Sequence, residues 1–542
     1  MARDLKADQE LLRNILGQVE RRDFARAASM AEAALASGFE HPMLLNVVAT
    51  RREQEGRLEE SLRLLQRAVS ISPGDIGARN ALALCLQRLD RPAEALAHVE
   101  TLLRAHPELA FAHANRGNAL IALGSLGRAK AAHLQALKLE PGNLAATTAL
   151  ASIATHRGEH AEARRWAEQS LAKAPGLPDA VLSLAAAELA DQAMPRAEEL
   201  LWKVLADPRA GSLDKARASG LLGDVLDAAG RYREAFDAYS ACNKLLAQLH
   251  ARFARGASVT AYARSLTSAL RAMAPGPWPT NTAAPAATAG AAEHVFLIGF
   301  PRSGTTLLEV ILDGHPRVVS VEEHDLLLEA VLRFMSEPTD LRALAAADEP
   351  ELDGFRARYW ERVRAAGIEV AGKVFVDKYP LNTLKLPVIA RLFPHAKILF
   401  AHRDPRDVVL SCFRRRFKMN PAMFELLSLA GAAALYDAVM EFAECARPVL
   451  NLAWHRVCFE TVVAKPAAQT DAMCRFIGLE AVDGMNDFAL RVQSREHATP
   501  STAQLARGLN RSGVAHWRHY ADALTPALPM LAPWVDRLGY PA

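Results

Sequence analysis

A period of thirty-four residues in the first half of the chain narrows the folds that it can adopt. Prolines recur at this interval at Pro73, Pro107, Pro141 and Pro175. A turn-forming residue precedes each proline at a constant distance, and a small residue follows each turn residue by five positions. The turn residues are Gly56, Asp90, Gly124 and Gly158, and the small residues are Ser61, Ala95, Ala129 and Ala163. Because turns separate helices and proline ends them, the pattern predicts a stack of helical pairs.

This period and spacing resemble those of tetratricopeptide repeats, and the resemblance is strong over residues 42–177. It weakens through 178–210 and returns over 220–246, while 21–39 fits a degenerate first unit. We therefore expect seven helical pairs and a closing helix at 250–272. Repeat arrays of this kind usually bind peptides or protein partners, so the resemblance implies a protein or peptide ligand in the concave groove. A role as an oligomerisation or spacer module stays open.

A stretch without core-forming residues separates the two halves of the chain. Residues 274–294 are dominated by proline, alanine, threonine and glycine, and carry no charge until Glu293. Such a composition cannot bury a core and is typical of a linker. The sequence therefore predicts a helical repeat array at 8–272, a linker at 273–293 and a second domain at 294–542.

Apolar runs that alternate with helical segments fill the second domain. The runs lie at 295–300, 318–321, 373–378, 396–402 and 454–460. Continuous apolar runs are typical of strands buried on both faces, and their alternation with helices predicts an α/β fold with a parallel sheet flanked by helices. Ligands of such sheets bind at the carboxyl ends of the strands. The loops at 300–306 and 402–405 both fall there.

The first of these loops, in HVFLIGFPRSGTTLL, has the outline of a phosphate-binding loop without its lysine. Gly299 and Gly304 allow the backbone to approach an anion closely. The amides and hydroxyls of residues 303–306 add donors at the start of a helix. A nucleoside triphosphatase also needs the lysine on its phosphates and a carboxylate for magnesium. Here Thr305 stands in the lysine's place and the cation is Arg302, which indicates a metal-free site for a smaller anion.

The second loop, in AHRDPRDVVLSCFRRRF, places Arg403 at a strand end and Ser411 on the following helix. Asp404 suits the N-cap of that helix, and Pro405 suits its first position. Ser411 lies about two turns past the cap, so its hydroxyl can share a face with Arg403. The alternative is an ordinary capped helix with an exposed serine. The basic run at 413–418 is either a solvated helix face or a surface that attracts an acidic acceptor.

The sequence PRSGTT, followed by this arginine and serine in the same order, resembles the sulfotransferases that use 3′-phosphoadenosine 5′-phosphosulfate (PAPS). The resemblance covers residues 294–540, and the pattern is nearest to the tyrosylprotein sulfotransferase-like branch. It implies a binding site for PAPS and its product PAP, with no metal required. The residues implied as ligands are Arg302, Ser303, Gly304, Thr305, Thr306, Arg403, Ser411, Phe459, Ser501, Arg507 and Arg511. The chain departs from this branch at Phe459, where the branch has a tyrosine.

The chemistry of sulfuryl transfer requires a base for the acceptor proton and cations for the leaving oxygen. The resemblance implies Glu323 as the base, in VVSVEEHDLL, twenty-one residues after Arg302. His324 and Glu322 are the alternatives, in that order. We expect Arg302 and Lys378 to be the catalytic cations. The alternative role for Lys378 is a salt bridge to the preceding aspartate or to a helix carboxylate.

Composition and charge exclude several classes of protein. A formal net charge of +3 gives no general signal for nucleic-acid binding. The six cysteines form no CxxC pair, so we expect buried, reduced thiols. The charged N-terminus lacks an apolar signal segment, and no run approaches the ~20 apolar residues of a membrane span. We therefore expect a soluble, cytoplasmic protein, and a homodimer stays open.

Three functional hypotheses agree with these observations. The first is a sulfotransferase acting on a hydroxyl acceptor, for which the repeats favour tyrosine in a protein and leave a carbohydrate or small phenol open. The second is a repeat adaptor whose second domain binds a nucleotide without turnover. The third is a small kinase or GTPase, against which the missing lysine counts.

Overall fold

The computed structural model describes residues 5–273, 278, 289–487, 491 and 513–541. The described residues form two compact units, one that ends at Ala187 and one that begins at Glu188. Among them, no helix combines the length and the apolar character needed to cross a membrane. Ser501, Arg507 and Arg511, which the resemblance implies as ligands, lie outside the described residues.

The first unit is built from helices that pack on their neighbours in sequence. Their bounds are α1 Leu5–Glu20, α2 Phe24–Ala36, α3 Pro42–Gln54, α4 Leu58–Ile71, α5 Ile76–Arg88, α6 Pro92–Ala105, α7 Ala110–Ala122, α8 Leu126–Leu139, α9 Leu144–Arg157 and α10 His160–Lys173. A further helix, α11 Pro178–Ala190, contains the division between the units.

The thirty-four-residue pattern has a direct structural explanation in this unit. The small residues Ser61, Ala95, Ala129 and Ala163 are all 0% exposed, at positions where helices cross closely. The turn residues, including Gly56 (φ 75°) and Asp90 (φ 56°), adopt the left-handed conformation between two helices. Each recurring proline follows a helix end by two residues. The prediction of a helical repeat array is confirmed.

The second unit begins with helices of the same kind and continues into the sheet. The helices are α12 Met194–Ala206, α13 Ser212–Ala228, α14 Tyr232–Leu249 and α15 Val259–Met273. Helices α13 and α14 pack against each other along their length. The closing helix expected at 250–272 is instead a short 3-10 helix, Ala251–Arg255, followed by α15, because Gly256 in extended conformation separates them.

Five parallel strands form the sheet of the second unit. They are β1 Glu293–Gly299, β2 Val318–Glu322, β3 Val374–Lys378, β4 Lys397–His402 and β5 Ala453–Cys458, in the spatial order β2-β3-β1-β4-β5. The register pairs Leu297 of β1 with Lys378 of β3 and Gly299 with Ala401 of β4. The carboxyl ends of β1, β3 and β4 therefore meet at one edge, as the sequence predicted.

Helices cover both faces of this sheet. They are α16 Thr305–Leu312, α17 Leu328–Phe334, α18 Leu341–Ala346, α19 Glu349–Ala365, α20 Leu386–Leu392, α21 Pro405–Arg414, α22 Pro421–Glu425, α23 Leu429–Val449, α24 Phe459–Ala464, α25 Pro466–Phe476, α26 Ala521–Leu524 and α27 Leu528–Arg537. Between β3 and β4 the chain forms a 3-10 helix, Pro380–Lys385, and then α20, with Pro387 in the first turn of α20.

Alternate residues of the strands face two different cores. On one face, Phe296 and Phe375 pack with α19, α20 and α23, and on the other, Leu297 and Val376 pack with α16 and α25. Trp278, within the expected linker, is 4% exposed and belongs to the first of these cores. The prediction of an α/β fold with a parallel sheet is confirmed, while the domain boundaries at 272 and 294 stay predictions.

Candidate active site

The candidate site begins where β1 and β4 end side by side. A Cβ atom added at Gly299 would lie 2.4 Å from the backbone oxygen of Ala401, so only glycine fits this close strand pairing. The Thr383 hydroxyl donates a hydrogen bond of 2.7 Å to the Gly299 carbonyl oxygen. These contacts fix the direction in which the chain leaves β1 and enters the loop at 300–304.

The loop itself is compact and rich in buried donors. Arg302 (φ 71°) and Gly304 (φ 98°) adopt left-handed conformations, which turn the chain sharply before α16 begins. A Cβ atom at Gly304 would lie 2.7 Å from the Phe459 ring. The side chains of Ser303, Thr305 and Thr306 are buried at the start of α16. The loop thus presents hydroxyls and a helix N-terminus to one small volume.

The two predicted anion motifs lie in direct contact. The Arg302 Nε atom donates a hydrogen bond of 3.0 Å to the Ser411 hydroxyl oxygen. Arg403 Nη1 donates a hydrogen bond of 3.3 Å to the backbone oxygen of Arg302. Ser411 is therefore not an isolated exposed serine, because the loop and α21 form a single site.

Arg403 is buried and is held by contacts that leave one of its guanidinium donors unsatisfied within the described part of the chain. Its guanidinium carbon lies 4.7 Å from the centre of the Phe459 ring, and Nη2 donates to the Gly513 carbonyl oxygen. The Nε atom is buried without a hydrogen-bond partner among the described residues. A buried donor of this kind is costly unless a ligand or water satisfies it.

The N-terminus of α21 binds the segment that returns to the site from the end of the chain. Asp404 caps α21 by accepting a 2.9 Å hydrogen bond from the Arg406 amide. Asp407 accepts hydrogen bonds of 2.8 Å from the amides of Ala515 and Trp517. The Arg406 guanidinium lies 4.0 Å from the centre of the Trp517 ring. The acidic residues of this motif therefore position the backbone near Arg403.

Arg415 is a candidate that the sequence reasoning missed. It follows the last residue of α21 in extended conformation, and among the described residues it forms no ion pair. Burial together with the charges of Arg415 and Arg403 lowers the pKa of Arg302. The positive charges of Arg415 and Arg403 thus both act on Arg302, and an anion bound beside Arg302 would offset them. The available signal was the position of Arg415, one helical turn after Ser411.

A cluster of carboxylates surrounds a buried lysine at the ends of β2 and β3. The Lys378 Nζ atom lies 2.9 Å from Glu322 Oε1, 2.9 Å from Glu323 Oε1 and 3.5 Å from Glu309 Oε2. We call these four residues the base cluster. The Lys378 side chain is 0% exposed, whereas that of Glu323 is 42% exposed. Glu323 is therefore the member of the cluster that a substrate can reach most easily.

The electrostatics of the base cluster keep its lysine charged. Burial alone would lower the pKa of Lys378, but Glu309, Glu322 and Glu323 outweigh it and raise the pKa above its ordinary value. The Glu323 amide donates a 2.8 Å hydrogen bond to the Lys378 carbonyl oxygen, which fixes its left-handed backbone (φ 53°). The third base candidate, His324, is exposed, and its Nδ1 atom lies 2.9 Å from the Glu322 carbonyl oxygen.

Comparisons with known proteins agree with this geometry. Residues 294–483 match a model described as the sulfotransferase family. Models described as tetratricopeptide repeats match residues 53–114 and, in a second case, 12–76 and 114–178. The chain joins tetratricopeptide repeats to a sulfotransferase domain. Both resemblances drawn from the sequence are thereby confirmed.

Relatives of the sulfotransferase domain include proteins from animals and a bacterium. Protein-tyrosine sulfotransferase 2 of Gallus gallus is 26% identical over 262 residues, which are 45% of this chain and 69% of that protein. A putative protein-tyrosine sulfotransferase of Caenorhabditis briggsae is 24% identical over 257 residues, 45% of this chain and 88% of the relative. An uncharacterized protein of Aquifex aeolicus is 26% identical over 267 residues, which cover 46% of this chain but only 33% of its own length.

A buried aspartate beside the base cluster was also missed from the sequence. Asp377 of the sulfotransferase domain is 0% exposed and accepts a 2.8 Å hydrogen bond from the Tyr359 hydroxyl. Tyr359 also lies 2.9 Å from His294 Nε2. Burial raises the pKa of Asp377, and the hydrogen bond from Tyr359 lowers it by less. The net result is a pKa of about 7. Because Asp377 faces away from Lys378, the salt bridge considered between them does not form.

The basic run at 413–418 of the sulfotransferase domain is not a solvated face. Arg414 Nη2 lies 2.6 Å from Asp227 Oδ2, and Arg416 Nη2 lies 2.7 Å from Asp224 Oδ2. Both aspartates belong to α13. The expectation of an exposed basic surface is wrong, because carboxylates of α13 pair with the run. The sequence pattern alone could not predict that α13 lies next to it.

Proposed function

We propose that this chain transfers a sulfuryl group from PAPS to a hydroxyl acceptor, with tyrosine in a protein or peptide as the first candidate. The observation that carries the proposal is the contact between the two anion motifs, in which Arg302 meets Ser411 and Arg403 meets Arg302. The names of several relatives, protein-tyrosine sulfotransferases, support the same acceptor.

The residues around this contact fit an adenosine donor that carries two anionic groups. The buried hydroxyls at 303–306 and the N-terminus of α16 suit the 5′-phosphosulfate. Arg403, Ser411 and Arg415 suit the 3′-phosphate, and the buried Arg403 Nε atom supplies an unsatisfied donor for it. Phe459 offers a ring for contact with the adenine. Ser501, Arg507 and Arg511 stay proposed ligands from the resemblance alone.

The reaction assigned to this site is an in-line displacement at sulfur. The acceptor oxygen forms a bond to sulfur while the bond from sulfur to the 5′-phosphate oxygen breaks, and the acceptor proton moves to a base. We assign the base to Glu323, since its carboxylate is the accessible one in the base cluster. Its hydrogen bond to Lys378 Nζ fixes the carboxylate in one orientation.

Arg302 and Lys378 are the proposed cations of the reaction. Arg302 lies in the loop that would hold the leaving phosphate, so its charge would stabilise the leaving oxygen. Lys378 is fully buried in the base cluster, and its ammonium supplies the positive charge nearest to Glu323. With these two side chains, the leaving oxygen and the base each have a positive group beside them.

The repeats of the first unit suit recruitment of the acceptor or of a partner that carries it. Repeat arrays present extended surfaces for peptides, and the tetratricopeptide matches together cover residues 12–178. We assign the acceptor to the protein class on this ground, and a cytoplasmic location and a homodimer stay predictions.

The test is transfer of labelled sulfate by the purified full-length chain. The chain is incubated with PAPS labelled in its sulfate and with fractionated cell components, and each fraction is analysed for stable label. We expect label on tyrosine in a protein fraction and inhibition by PAP. Label confined to carbohydrate or to small phenols would mean that the acceptor is one of these and not a protein. Binding of PAP without transfer in any fraction would support the adaptor instead, and tighter binding of magnesium ATP than of PAP would overturn the proposal.

A further inference from the structure

Three consecutive arginines at the end of α21 have three different surroundings. Arg414 and Arg416 form ion pairs with Asp227 and Asp224 on α13. Arg415, between them, forms none among the described residues, and its charge acts on Arg302. The backbone is extended at Arg415 (φ −98°, ψ 140°). Although burial opposes the effect, the charges of Arg416 and Arg415 lower the pKa of Asp224, so Arg415 lies close to α13 as well as to Arg302.

Asp227 and Asp224 are built into a network rather than placed on a surface. Asp227 Oδ1 also lies 2.9 Å from His516 Nε2 and accepts a hydrogen bond from the Tyr520 hydroxyl. The Tyr239 hydroxyl donates a 3.0 Å hydrogen bond to Asp224 Oδ1. The side chains of Asp227 and Asp224 are 14% and 23% exposed. Charged side chains that are partly buried and make several hydrogen bonds hold their partners in one position more firmly than exposed ion pairs do.

Apolar and amide contacts reinforce the same interface. The rings of Phe236 on α14 and Phe413 on α21 are stacked with centres 5.2 Å apart. The buried side chain of Asn243 donates a 2.9 Å hydrogen bond to the Phe413 carbonyl oxygen. A Cβ atom at Gly220 would lie 2.6 Å from Arg416 Cδ, so the helix surface is shaped for this arginine. Helices α13 and α14 therefore fix the backbone that carries Arg415.

We propose that Asp224 and Asp227 are positioning residues of the donor site, which hold Arg414 and Arg416 so that Arg415 faces the bound donor. The inference rests on the proposed function, because it needs Arg415 to contact an anion beside Ser411. The last helical pair then contributes to donor affinity without touching the donor. Without these anchors, Arg415 would lose conformational entropy on binding and would have to overcome the repulsion of its neighbours.

The experiment measures the affinity of the full-length chain for PAP by calorimetry. The variants are Asp224→Asn, Asp227→Asn and the double variant, with Asp227→Glu as the conservative replacement that keeps the charge. We expect each Asn variant to weaken PAP binding several-fold, the double variant to weaken it by about tenfold, the scale of one hydrogen bond to a charged group, and Asp227→Glu to recover part of the loss. Glu234→Gln is the matched control and should leave PAP affinity unchanged, since Glu234 of α14 pairs at 2.8 Å with Arg231, the residue before that helix.

A double-mutant cycle separates positioning from a general loss of structure. If the aspartates act through Arg415, combining Asp227→Asn with Arg415→Ala should weaken PAP binding no further than Arg415→Ala alone. Additive losses in this cycle would contradict the inference, and so would unchanged PAP affinity in Asp224→Asn and Asp227→Asn. Thermal unfolding of each variant shows which variants are folded. If the double variant does not fold, the two single variants are enough for the test.

The same measurements distinguish this inference from the proposed function. If Arg415→Ala and Arg403→Ala both bind PAP as the wild type does, the donor site itself is wrongly assigned. If these two variants lose affinity and the aspartate variants do not, only the positioning role fails. The inference stands when Arg415→Ala weakens binding and the aspartate variants weaken it through Arg415.

Discussion

The donor edge and the base cluster lie at the ends of neighbouring parallel strands, but their charges are arranged in opposite ways. We use donor edge for the loop at 302–306 with Arg403, Ser411 and Arg415. The donor edge brings three arginines together, whereas the base cluster surrounds one lysine with three carboxylates. The donor edge has an excess of positive charge that an anion from outside would offset, although Arg403 lies 4.0 Å from Asp407. The base cluster has an excess of negative charge around a lysine that its own carboxylates already pair.

This difference indicates a division of labour along one edge of the sheet. The donor edge is suited to bind, because its charges are most stable when a phosphate lies among them. The base cluster is suited to accept a proton, because Lys378 holds an accessible carboxylate next to it. Variants in the first should therefore change affinity, and variants in the second should change turnover or stability. The predictions below test this separation.

The largest expected effect is on turnover in Glu323→Gln. The amide oxygen of glutamine keeps the contact with Lys378 but cannot take the acceptor proton. We expect transfer of labelled sulfate to fall by about 10²–10⁴-fold, with PAP affinity within a factor of about two of the wild type. His324→Ala is the control and should retain most of the turnover. If His324→Ala loses turnover and Glu323→Gln does not, the histidine is the base.

A second large effect is expected on stability in Lys378→Met. Removing the buried ammonium leaves Glu309, Glu322 and Glu323 in one place without a cation. We expect the free energy of unfolding to fall by roughly 3–5 kcal/mol, as when one partner of a buried ion pair is removed. Urea unfolding monitored by circular dichroism measures this change.

The matched control for Lys378 is a lysine that pairs at the surface. Lys203 Nζ lies 2.7 Å from Glu199, and the two side chains are 61% and 50% exposed. Lys203→Met should cost less than about 1 kcal/mol. Equal losses in the two variants would mean that the base cluster is well solvated, contrary to its burial.

A smaller effect, on binding alone, is expected in Arg403→Ala. Loss of the guanidinium removes a charged donor beside Ser411, and we expect PAP affinity to fall by about 10–100-fold. The dependence of PAP affinity on salt concentration should also become weaker, since one positive charge is lost. Arg447→Ala, which removes an exposed pair with Glu444, is the control. Equal losses of PAP affinity in Arg403→Ala and Glu323→Gln would contradict the division between binding and turnover.

Much of this site could be predicted from the sequence because its determinants are local. The strands coincide with apolar runs, and the loop at 299–306 and the cap at Asp404 are set by residues within one turn of each other. The parallel topology predicts that the carboxyl ends of the strands share one edge. The strand order that makes β1 and β4 neighbours, and the hydrogen bond between Arg302 and Ser411, come from the structure.

The features that escaped prediction depend on contacts between distant parts of the chain. The pairs of Asp224 with Arg416 and Asp227 with Arg414 join residues almost two hundred positions apart, and a basic run usually lies on a solvated face. Glu309 looked like an ordinary helix residue, and only the packing of α16 on the sheet places it near Lys378. Long-range register of this kind leaves no local pattern in a single sequence.

The smallest effect expected concerns Asp377, which extends the comparison to the opposite face of the strand that carries Lys378. Its pKa of about 7 lies above its ordinary value near 3.8, so between these pH values the folded protein binds more protons than the unfolded chain. Stability from Asp377 is therefore present at low pH and is lost as the pH rises toward 7. The Asn382 Nδ2 atom donates a 3.3 Å hydrogen bond to Asp377 Oδ1, whereas the Asn382 Oδ1 atom is buried without a partner among the described residues.

Asp377→Asn removes this titration while keeping the shape of the side chain. The difference in unfolding free energy, wild type minus variant, should fall by about 2 kcal/mol between pH 5 and pH 7. Urea unfolding of both proteins at the two pH values measures it, and other titrating groups cancel because the proteins share them. A difference that stays constant would mean that Asp377 is ionised throughout this range. The negative charge next to the base cluster would then extend to both faces of β3, and the charge contrast with the donor edge would be larger than described above.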